Sequence, residues 1–363
     1  MSKNSNSSPG SRAEAFARRL GIRIPILLAP MSGACPPSLA IAVVNAGGLG
    51  ACGALLMQPG EIAAWCAEFR RGSDGPDSFQ INLWIPDPPA ARVAENEERL
   101  CEFLTQWGPA VSPESGNPAL PDFDAQCQAM LAASPKVISS IMGLYPPTFV
   151  SQMKSHGILW FATATTVVEA IAAEKAGADA IVAQGMEAGG HRGAFRAEDA
   201  ERQLVGLMSL LPQVVDAVKV PVVAAGGIAD ERAIAAALIL GASAVSIGTG
   251  FLRTPEARIN LAYAARLAHT EAHETAVTRH FSGRPGRAAL NEYVRATLAA
   301  DAPPAAPYPV QRGLTRAMRE AALKSGDPEH MQMWAGQSAK LAQAVPAAEL
   351  TQQLWSAASR LLE

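Results

Sequence analysis

The residues best suited to chemistry lie in one loop, Gln184-Gly-Met-Glu-Ala-Gly-Gly-His-Arg-Gly193. Gly189 and Gly190 carry no Cβ atom, so their backbone N–H groups can closely approach a phosphate or a flat ring. His191 follows directly and is expected to lie over whatever the two glycines bind. Such a histidine can be catalytic or can serve as an ordinary hydrogen-bonding residue of the loop, and the spacing alone leaves both alternatives open.

Two further glycine-bearing loops follow short apolar runs later in the chain. They are Ala225-Gly226-Gly227-Ile228 and Ser246-Ile247-Gly248-Thr249-Gly250. A single Gly-Gly pair often marks only a helix-entry turn. In an eight-stranded parallel barrel, however, the loops after the last two strands usually bind phosphate, because backbone N–H groups converge there with the positive end of a short helix. Together with Gly189 and Gly190, these loops predict a phosphorylated cofactor.

Three side chains are predicted to lie on the same rim as these loops. Met31 follows the first predicted strand, while Asn82 and Gln184 stand at the ends of the third and sixth. An amide offers a donor and an acceptor together, which suits the carbonyl and ring nitrogens of a flavin. Asn82 stands among apolar residues and needs a partner if it is buried, and that partner is either a ligand or the backbone.

The elements that must position these residues repeat along the chain. Between Ile24 and Ile247 the pattern predicts eight short strands, each followed by an Ala-rich amphipathic helix. The strands are continuous Val, Ile and Ala runs, which is typical of parallel strands buried on both faces. The predicted fold is therefore α/β, a (β/α)8 TIM barrel with a helical insertion or lid after strand eight. A doubly wound open sheet is the alternative.

The same pattern predicts the domain organisation. Residues 1–20 are predicted to be a polar N-terminal tail, and 21–253 with 331–363 to form the cofactor-binding barrel. Residues 254–330 are predicted to form a helical subdomain on the substrate side. That subdomain is expected to act as a lid over the site. An interface between two copies of the chain is the alternative use, and the sequence does not predict the oligomeric state.

Composition excludes several function classes. Of 363 residues, 49% are apolar and 17% charged, which indicates a compact folded protein. The net charge of -3 with scattered Lys and Arg argues against nucleic acid as a partner, and no apolar stretch predicts a membrane span. Five cysteines without a CxxC pair favour a reduced, cytoplasmic setting. His269 and His273 are four apart, but the glutamate between them stands one place off the zinc-protease pattern, so no metal site is predicted.

Taken together, these motifs resemble those of the nitronate monooxygenases, particularly the class I group. The resemblance implies an FMN-dependent barrel enzyme that oxidises alkyl nitronates, and by extension nitroalkanes, with O2 to a carbonyl compound and nitrite. The motifs that carry it cover most of the chain: Ala29-Pro30-Met31, Asn45 to Gly50, Gln184 to Gly193, Ala224 to Ile228, Gly248-Thr249, Ser282-Gly283-Arg284-Pro285 and Trp334-Ala335-Gly336-Gln337.

The resemblance also implies roles for individual residues. His191 matches the catalytic histidine. We hypothesise that it hydrogen-bonds the nitronate oxygens and removes the α-proton of neutral nitroalkanes, a task suited to an imidazole with a pKa near neutrality. The positions that match FMN-binding residues are Met31, Asn82, Gln184, Gly189, Gly190, Gly226, Gly227, Ser246, Ile247, Gly248 and Thr249.

Two other functions remain open. Related enoyl-thioester reductases share Glu-Ala-Gly-Gly-His but typically carry an acidic residue where this chain has Gln184, so an NAD(P)H-dependent quinone or enoyl-thioester reductase is the alternative. A flavin-binding module without enzymatic activity is the third. Class I members also often end strand four with Phe-His-Phe-Gly, whereas this chain has Ser140-Ile141-Met142-Gly143. An apolar Ile141 cannot hydrogen-bond an anion, which affects the expected substrate preference.

Overall fold

The computed structural model describes residues 8–89 and 91–363. Within them, eleven strands form an eight-stranded sheet and a three-stranded sheet. The strands are β1 (Ile26–Leu28), β2 (Gly50–Gly53), β3 (Phe79–Trp84), β4 (Val137–Ile141), β5 (Leu159–Ala164), β6 (Ala180–Gln184), β7 (Gly190–His191), β8 (Val222–Ala225), β9 (Ala244–Ile247), β10 (Thr275–Thr278) and β11 (Gly286–Ala289).

Helices alternate with the strands of the large sheet. The helices are α1 (Pro9–Leu20), α2 (Pro37–Ala46), α3 (Pro59–Gly72), α4 (Ala94–Leu104), α5 (Phe123–Ala133), α6 (Pro147–Ser155), α7 (Val167–Lys175), α8 (Leu207–Ala217), α9 (Glu231–Ile239), α10 (Leu261–Leu267), α11 (Glu292–Thr297), α12 (Val310–Leu314), α13 (Arg316–Ser325) and α14 (Ala347–Arg360).

The large sheet closes into a barrel. Its parallel strands run in the order β1-β9-β8-β6-β5-β4-β3-β2. Between the two ends of this order, the Leu28 N–H donates to the Leu49 carbonyl at 2.9 Å and the Leu49 N–H to the Ile26 carbonyl at 3.1 Å. Gly48 permits this approach, because a Cβ there would lie 2.7 Å from the Ile26 oxygen. The predicted (β/α)8 TIM barrel is confirmed.

The structure differs from the predicted polar tail over residues 1–20. Residues 1–7 lie outside the described range, but Pro9–Leu20 is the helix α1. Its buried Phe16 and Leu20 pack under the amino-terminal ends of the strands, where Phe16 stacks on Phe161 with ring centroids 5.9 Å apart. Apolar residues spaced three and four apart give this short helix a buried face. It closes the end of the barrel opposite the glycine loops.

Removing the Phe16 ring tests this role of α1. Phe16 is 4% exposed, so Phe16→Ala is expected to lower the free energy of unfolding by about 3 kcal/mol through lost burial and the cavity that remains. Equilibrium denaturation in urea measures the change. Arg18→Ala, on the exposed face of the same helix, is the matched control. Equal stability of the two variants would contradict a packing role for α1.

The region 254–330 was predicted to be helical, but it also contains two strands of a small antiparallel sheet. Its strands β10 and β11 pair with each other, and β11 pairs with β7 from the predicted catalytic loop. In that register His191 lies opposite Gly286 and Gly190 opposite Arg287. This pairing joins positions nearly a hundred residues apart, which is why local sequence patterns miss it. The region therefore holds the histidine loop directly.

The last helix, α14, returns to the barrel. It packs between α2 and α9 through buried Leu350, Leu354 and Ala358. The five cysteines are free and buried. In the described part of the chain no helix has both the length and the apolarity to cross a bilayer, and no cluster of three or more His, Cys, Asp or Glu side chains is arranged to bind a metal ion.

Candidate active site

The predicted site residues meet at one end of the barrel. Each stands at or just beyond the carboxyl end of a parallel strand, so the closed barrel brings them to a common mouth. The residues placed there are Met31 after β1, Asn82 in β3, Gln184 in β6, Gly189 to His191 in the loop after β6, Gly226 and Gly227 after β8, and Ser246 to Thr249 at the end of β9.

His191 lies between two indole rings. Its ring centroid is 4.5 Å from that of Trp84 and 4.6 Å from that of Trp334. The imidazole Nε2 is 2.7 Å from Oγ of Ser282, which stands just before β11. The other ring nitrogen, Nδ1, has no hydrogen-bond partner among the described residues. The ring is thus fixed on one edge and available to a ligand on the other.

The loop that carries His191 is anchored at both ends. Gln184 Oε1 accepts from the N–H of Gly193 at 2.8 Å, and its Nε2 donates to the His191 carbonyl at 3.0 Å. Farther on, the N–H of Phe195 donates to Glu169 at 2.7 Å, and the same carboxylate completes a capping box with Thr166 at the start of α7. Gln184 therefore positions the histidine in addition to whatever ligand it contacts.

The pKa of His191 departs from the expectation of a value near neutrality. Burial, and to a lesser extent the positive charges of Arg312 and Arg284, lower the pKa from 6.5 to about 3. The imidazole is therefore neutral at physiological pH. A neutral imidazole has one donor nitrogen and one acceptor nitrogen, and with so low a pKa it is a weak base.

The two arginines differ in how they are neutralised. Arg284 is fully buried, and its Nε donates to the Asp87 carboxylate at 2.8 Å. Arg312 is half-buried beside Tyr308, and in the described range its side chain makes no ion pair or hydrogen bond. A partly desolvated cation without a counter-ion favours binding of an anion. Near His191 the mouth therefore carries a positive charge, on Arg312, that no ion pair among the described residues neutralises.

The loops after β8 and β9 have the backbone that a phosphate requires. Gly226 has φ +110° and Gly227 has φ +70°, a left-handed conformation that L side chains rarely adopt. In the described structure the N–H groups of Gly226, Gly227 and Gly248 donate to no protein acceptor. Three free N–H donors beside the short helix that begins at Thr249 fit an anionic group. These residues therefore fit the phosphate end of a nucleotide-like cofactor.

The two glycines of the histidine loop are glycines for different reasons. A Cβ on Gly189 would lie 2.5 Å from the Gly336 nitrogen, so close packing of the two chain segments already requires a glycine there. Gly190 has φ +74°, and nothing lies within 4 Å of the position that a Cβ would occupy. Gly190 thus has the free approach that the sequence predicted for both residues.

The four other predicted residues differ in whether their side chains face the mouth. Asn82 donates to Ser139 Oγ at 3.0 Å and keeps its carbonyl oxygen without a partner in the described residues, so that oxygen can accept from a ligand. Half-buried Met31 lies beside Gly248, with Sδ 3.4 Å from where a Cβ on that glycine would stand. Ser246 is 7% exposed, whereas the Ile247 side chain is 1% exposed in the apolar core, so only its backbone faces the mouth.

Sequence patterns missed three residues around His191. Trp84 had a usable signal, because residues two apart in a strand face the same side and Asn82 had already been placed at the mouth. Ser282 appeared in a family-like motif without an assigned role. Arg312 gave no signal, because α12 reaches the mouth only through the fold of the 254–330 region.

Comparisons with known proteins match one family over most of the chain. A family model described as nitronate monooxygenase matches residues 14–357. A nitronate monooxygenase of Pseudomonas aeruginosa is 38% identical over 346 residues, covering 94% of this chain and 98% of that protein. A probable nitronate monooxygenase of Staphylococcus haemolyticus is 37% identical, covering 90% of this chain and 92% of that protein.

Two solved structures are also similar. Nitroalkane oxidase from Streptomyces ansochromogenes superposes with a TM-score of 0.85 at 35% identity, covering 95% of this chain and 98% of that one. FabK from Thermotoga maritima superposes with a TM-score of 0.74 at 26% identity, covering 96% of each chain.

Proposed function

The chain belongs to the nitronate monooxygenase family and is an oxidoreductase, and from this we propose that it binds FMN and oxidises alkyl nitronates with O2 to a carbonyl compound and nitrite. The observation that carries the proposal is the free edge of His191 at the barrel mouth, near Arg312, which has no counter-ion among residues 8–89 and 91–363. An anionic substrate supplies both the acceptor atoms and the negative charge that this arrangement lacks.

FMN fits the glycine-lined end of the mouth. The N–H groups of Gly226, Gly227 and Gly248, together with Thr249, would hold its phosphate, while Asn82 and Gln184 would face its polar ring atoms. When bound, FMN supplies an electron acceptor for the nitronate, and O2 is the final oxidant. The protein then has to bind the anion, orient it and exclude water.

The site favours nitronates over neutral nitroalkanes. A base that removes an α-proton works best with a pKa near the working pH, and the pKa of His191 is lowered to about 3. A bound nitronate needs no such base. Its negative charge also opposes the effect of Arg312 and Arg284 on the imidazole. We therefore assign His191 the task of hydrogen-bonding the nitronate, and proton removal from nitroalkanes a lesser role.

Ser282 sets the histidine tautomer in this proposal. Nitronate oxygens only accept hydrogen bonds, so Nδ1 must carry the proton and Nε2 must accept one. The Ser282 hydroxyl, 2.7 Å from Nε2, is the group placed to donate it. That hydroxyl also lies 3.2 Å from the Arg284 carbonyl, which is its alternative acceptor. Binding of an anion at Nδ1 favours donation to the histidine.

Ser282→Ala tests the tautomer assignment. The variant loses one hydrogen bond to Nε2 and is expected to lower kcat/KM for ethyl nitronate about tenfold, equivalent to about 1.4 kcal/mol, while FMN remains bound. Steady-state O2 uptake with the FMN content measured in parallel gives the result. Ser151→Ala, at an exposed serine of α6, is the control. Unchanged kcat/KM in Ser282→Ala would exclude this role.

The direct test of the proposed function uses the purified protein in air. With ethyl nitronate it is expected to consume O2 and to form acetaldehyde and nitrite together, and heating is expected to release FMN. Absence of O2 uptake with every nitronate tested would overturn the proposal.

A reductase is the second candidate, because the FabK structure of Thermotoga maritima has the same barrel at 26% identity. On that scaffold NAD(P)H would deliver hydride for reduction of an enoyl thioester or a quinone. The uncompensated Arg312 also suits an anionic group of a larger substrate, so charge alone does not separate the candidates. A requirement for NADH or NADPH separates the two candidates.

A further inference from the structure

The histidine loop, Gln184 to Gly193, contains one buried cation that the proposed function does not use. Arg192, the residue after His191, is 1% exposed. Its Nη1 donates to the Gly185 carbonyl at 2.6 Å and its Nη2 to the Gln184 carbonyl at 3.4 Å. The guanidinium therefore reaches back from the end of the loop to the two peptide groups with which the loop begins.

Gln184 makes the opposite connection across the same loop. Its side chain bonds the Gly193 N–H and the His191 carbonyl, while the Arg192 side chain bonds the carbonyls of Gln184 and of the residue after it. Each end of the loop thus binds the backbone of the other end through a side chain, and we refer to these four hydrogen bonds as the loop clasp. The Arg192 N–H also donates to the Pro285 carbonyl at 2.8 Å, which joins the clasp to the segment just before β11.

Burial of Arg192 is costly to the fold. Among the described residues its guanidinium forms no ion pair, and its Nε has no hydrogen-bond partner. Burial, and to a lesser extent the charge of Arg287, lower its pKa to about 10, although Glu187 and Glu169 act in the opposite direction. Both of these carboxylates accept hydrogen bonds from backbone N–H groups instead. Since an apolar side chain in place of a buried charge is often neutral or stabilising, stability alone does not account for an arginine here.

We propose that Arg192 is a positioning residue, whose hydrogen bonds to the first carbonyls of the loop hold His191 and Gln184 in place for the nitronate and FMN, an inference that rests on the proposed function. The charges that lower the pKa of His191 are those of Arg312 and Arg284. Arg192 therefore acts on the histidine through the loop backbone and not through its charge. A lysine keeps the charge but carries its donors on one atom, so it reproduces the planar fork only in part.

Arg192→Met and Arg192→Lys test the loop clasp. Amide hydrogen exchange, followed by mass spectrometry on the full-length chain, requires neither FMN nor substrate. In Arg192→Met the peptides that cover the loop are expected to exchange about tenfold faster, because the loop opens more often without the hydrogen bonds of the guanidinium. In the FMN-loaded enzyme kcat/KM for ethyl nitronate is expected to fall about tenfold or more, since the histidine is no longer held in place. Arg192→Lys is expected to lie between Arg192→Met and the parent in both measurements.

Arg12→Met is the matched control. Half-buried Arg12 of α1 also donates to two backbone carbonyls, those of Leu238 and Ala242, but it does so at the closed end of the barrel. This variant is expected to lower the denaturation midpoint in urea and to keep parental loop exchange and parental kcat/KM. Arg192→Met is expected to show the reverse, with a parental midpoint and altered exchange and kinetics.

The outcomes separate this inference from the proposed function. Parental loop exchange or parental kcat/KM in Arg192→Met overturns the inference and leaves the proposed function intact. Parental values of both in Arg192→Lys would show that the charge alone suffices, which also overturns it, and this variant decides the matter if Arg192→Met does not fold. Absence of nitronate turnover in the parent enzyme overturns the proposed function, while the exchange measurement still shows whether Arg192 holds the loop.

Discussion

His191→Asn is expected to lower kcat/KM for ethyl nitronate about 100-fold without releasing FMN. The imidazole is fixed by Ser282 and two indoles, and in the proposed function its free nitrogen donates to the nitronate. Asparagine can place an amide N–H near the Nδ1 position, but it loses the Nε2 contact with Ser282 and the ring contacts with the two indoles, so this donor is no longer held in place. Removing one preorganised donor from a site of developing charge typically costs this much. Steady-state O2 uptake over a range of nitronate concentrations measures the effect.

His156→Asn is the matched control, because His156 is an exposed histidine at the end of α6. Parental kinetics are expected for it. If His191→Asn also kept parental nitronate kinetics, His191 would have no part in binding the substrate.

The lowered pKa of His191 also predicts how nitronate turnover and protein stability respond to pH. With a pKa of about 3, His191 stays neutral from about pH 5 to pH 8, so nitronate turnover by the parent should show no ionisation of this group there. The folded protein also binds the proton less readily than the unfolded chain, where the pKa is 6.5. His191 therefore destabilises the fold increasingly as the pH falls from 6.5 towards 3.

Gly226→Val is expected to weaken FMN binding by about 100-fold or more. Gly226 has φ +110°, and a Cβ there would lie 3.1 Å from both the Ala188 nitrogen and the Gly185 oxygen. A β-branched residue forces the backbone out of this conformation, at a cost of about 1–3 kcal/mol. The same movement withdraws a free N–H from the phosphate, whose hydrogen bond to a charged group contributes about 1.5–3 kcal/mol. Equilibrium titration of the apoprotein with FMN measures the dissociation constant.

Gly60→Val is the corresponding control. Gly60 is exposed in the first turn of α3, has no positive φ and has nothing within 4 Å of its Cβ direction. This variant should bind FMN like the parent. Circular dichroism separates loss of FMN from loss of folding, and Gly226→Ala gives a milder version of the same strain. Full FMN affinity in a folded Gly226→Val protein would show that the phosphate lies elsewhere.

The barrel and one half of the site could be predicted because local sequence determines them. Strands buried on both faces are continuous apolar runs, and parallel topology places everything after their carboxyl ends at one mouth. Asn82, Gln184 and the glycine loops are found this way. Helix α1 also had a signal, in the spacing of Phe16 and Leu20, but the polar residues around it suggested a tail.

The other half of the site depends on contacts that local patterns do not contain. Ser282 and Arg312 reach His191 because β11 pairs with β7 across about ninety residues of chain and because α12 packs beyond it. The pKa of His191 follows from the same contacts, since burial and two arginines set it. Local sequence therefore places His191 at the mouth but does not determine its protonation state.

Anaerobic mixing tests the central claim most directly. The purified protein, loaded with FMN, is mixed in the absence of O2 with ethyl nitronate, and separately with NADH and NADPH, while the absorbance of the oxidised flavin is followed. The proposed function predicts that nitronate bleaches the flavin and that neither pyridine nucleotide does. Prompt bleaching by NADH or NADPH, with no response to nitronate, would contradict it and identify a reductase.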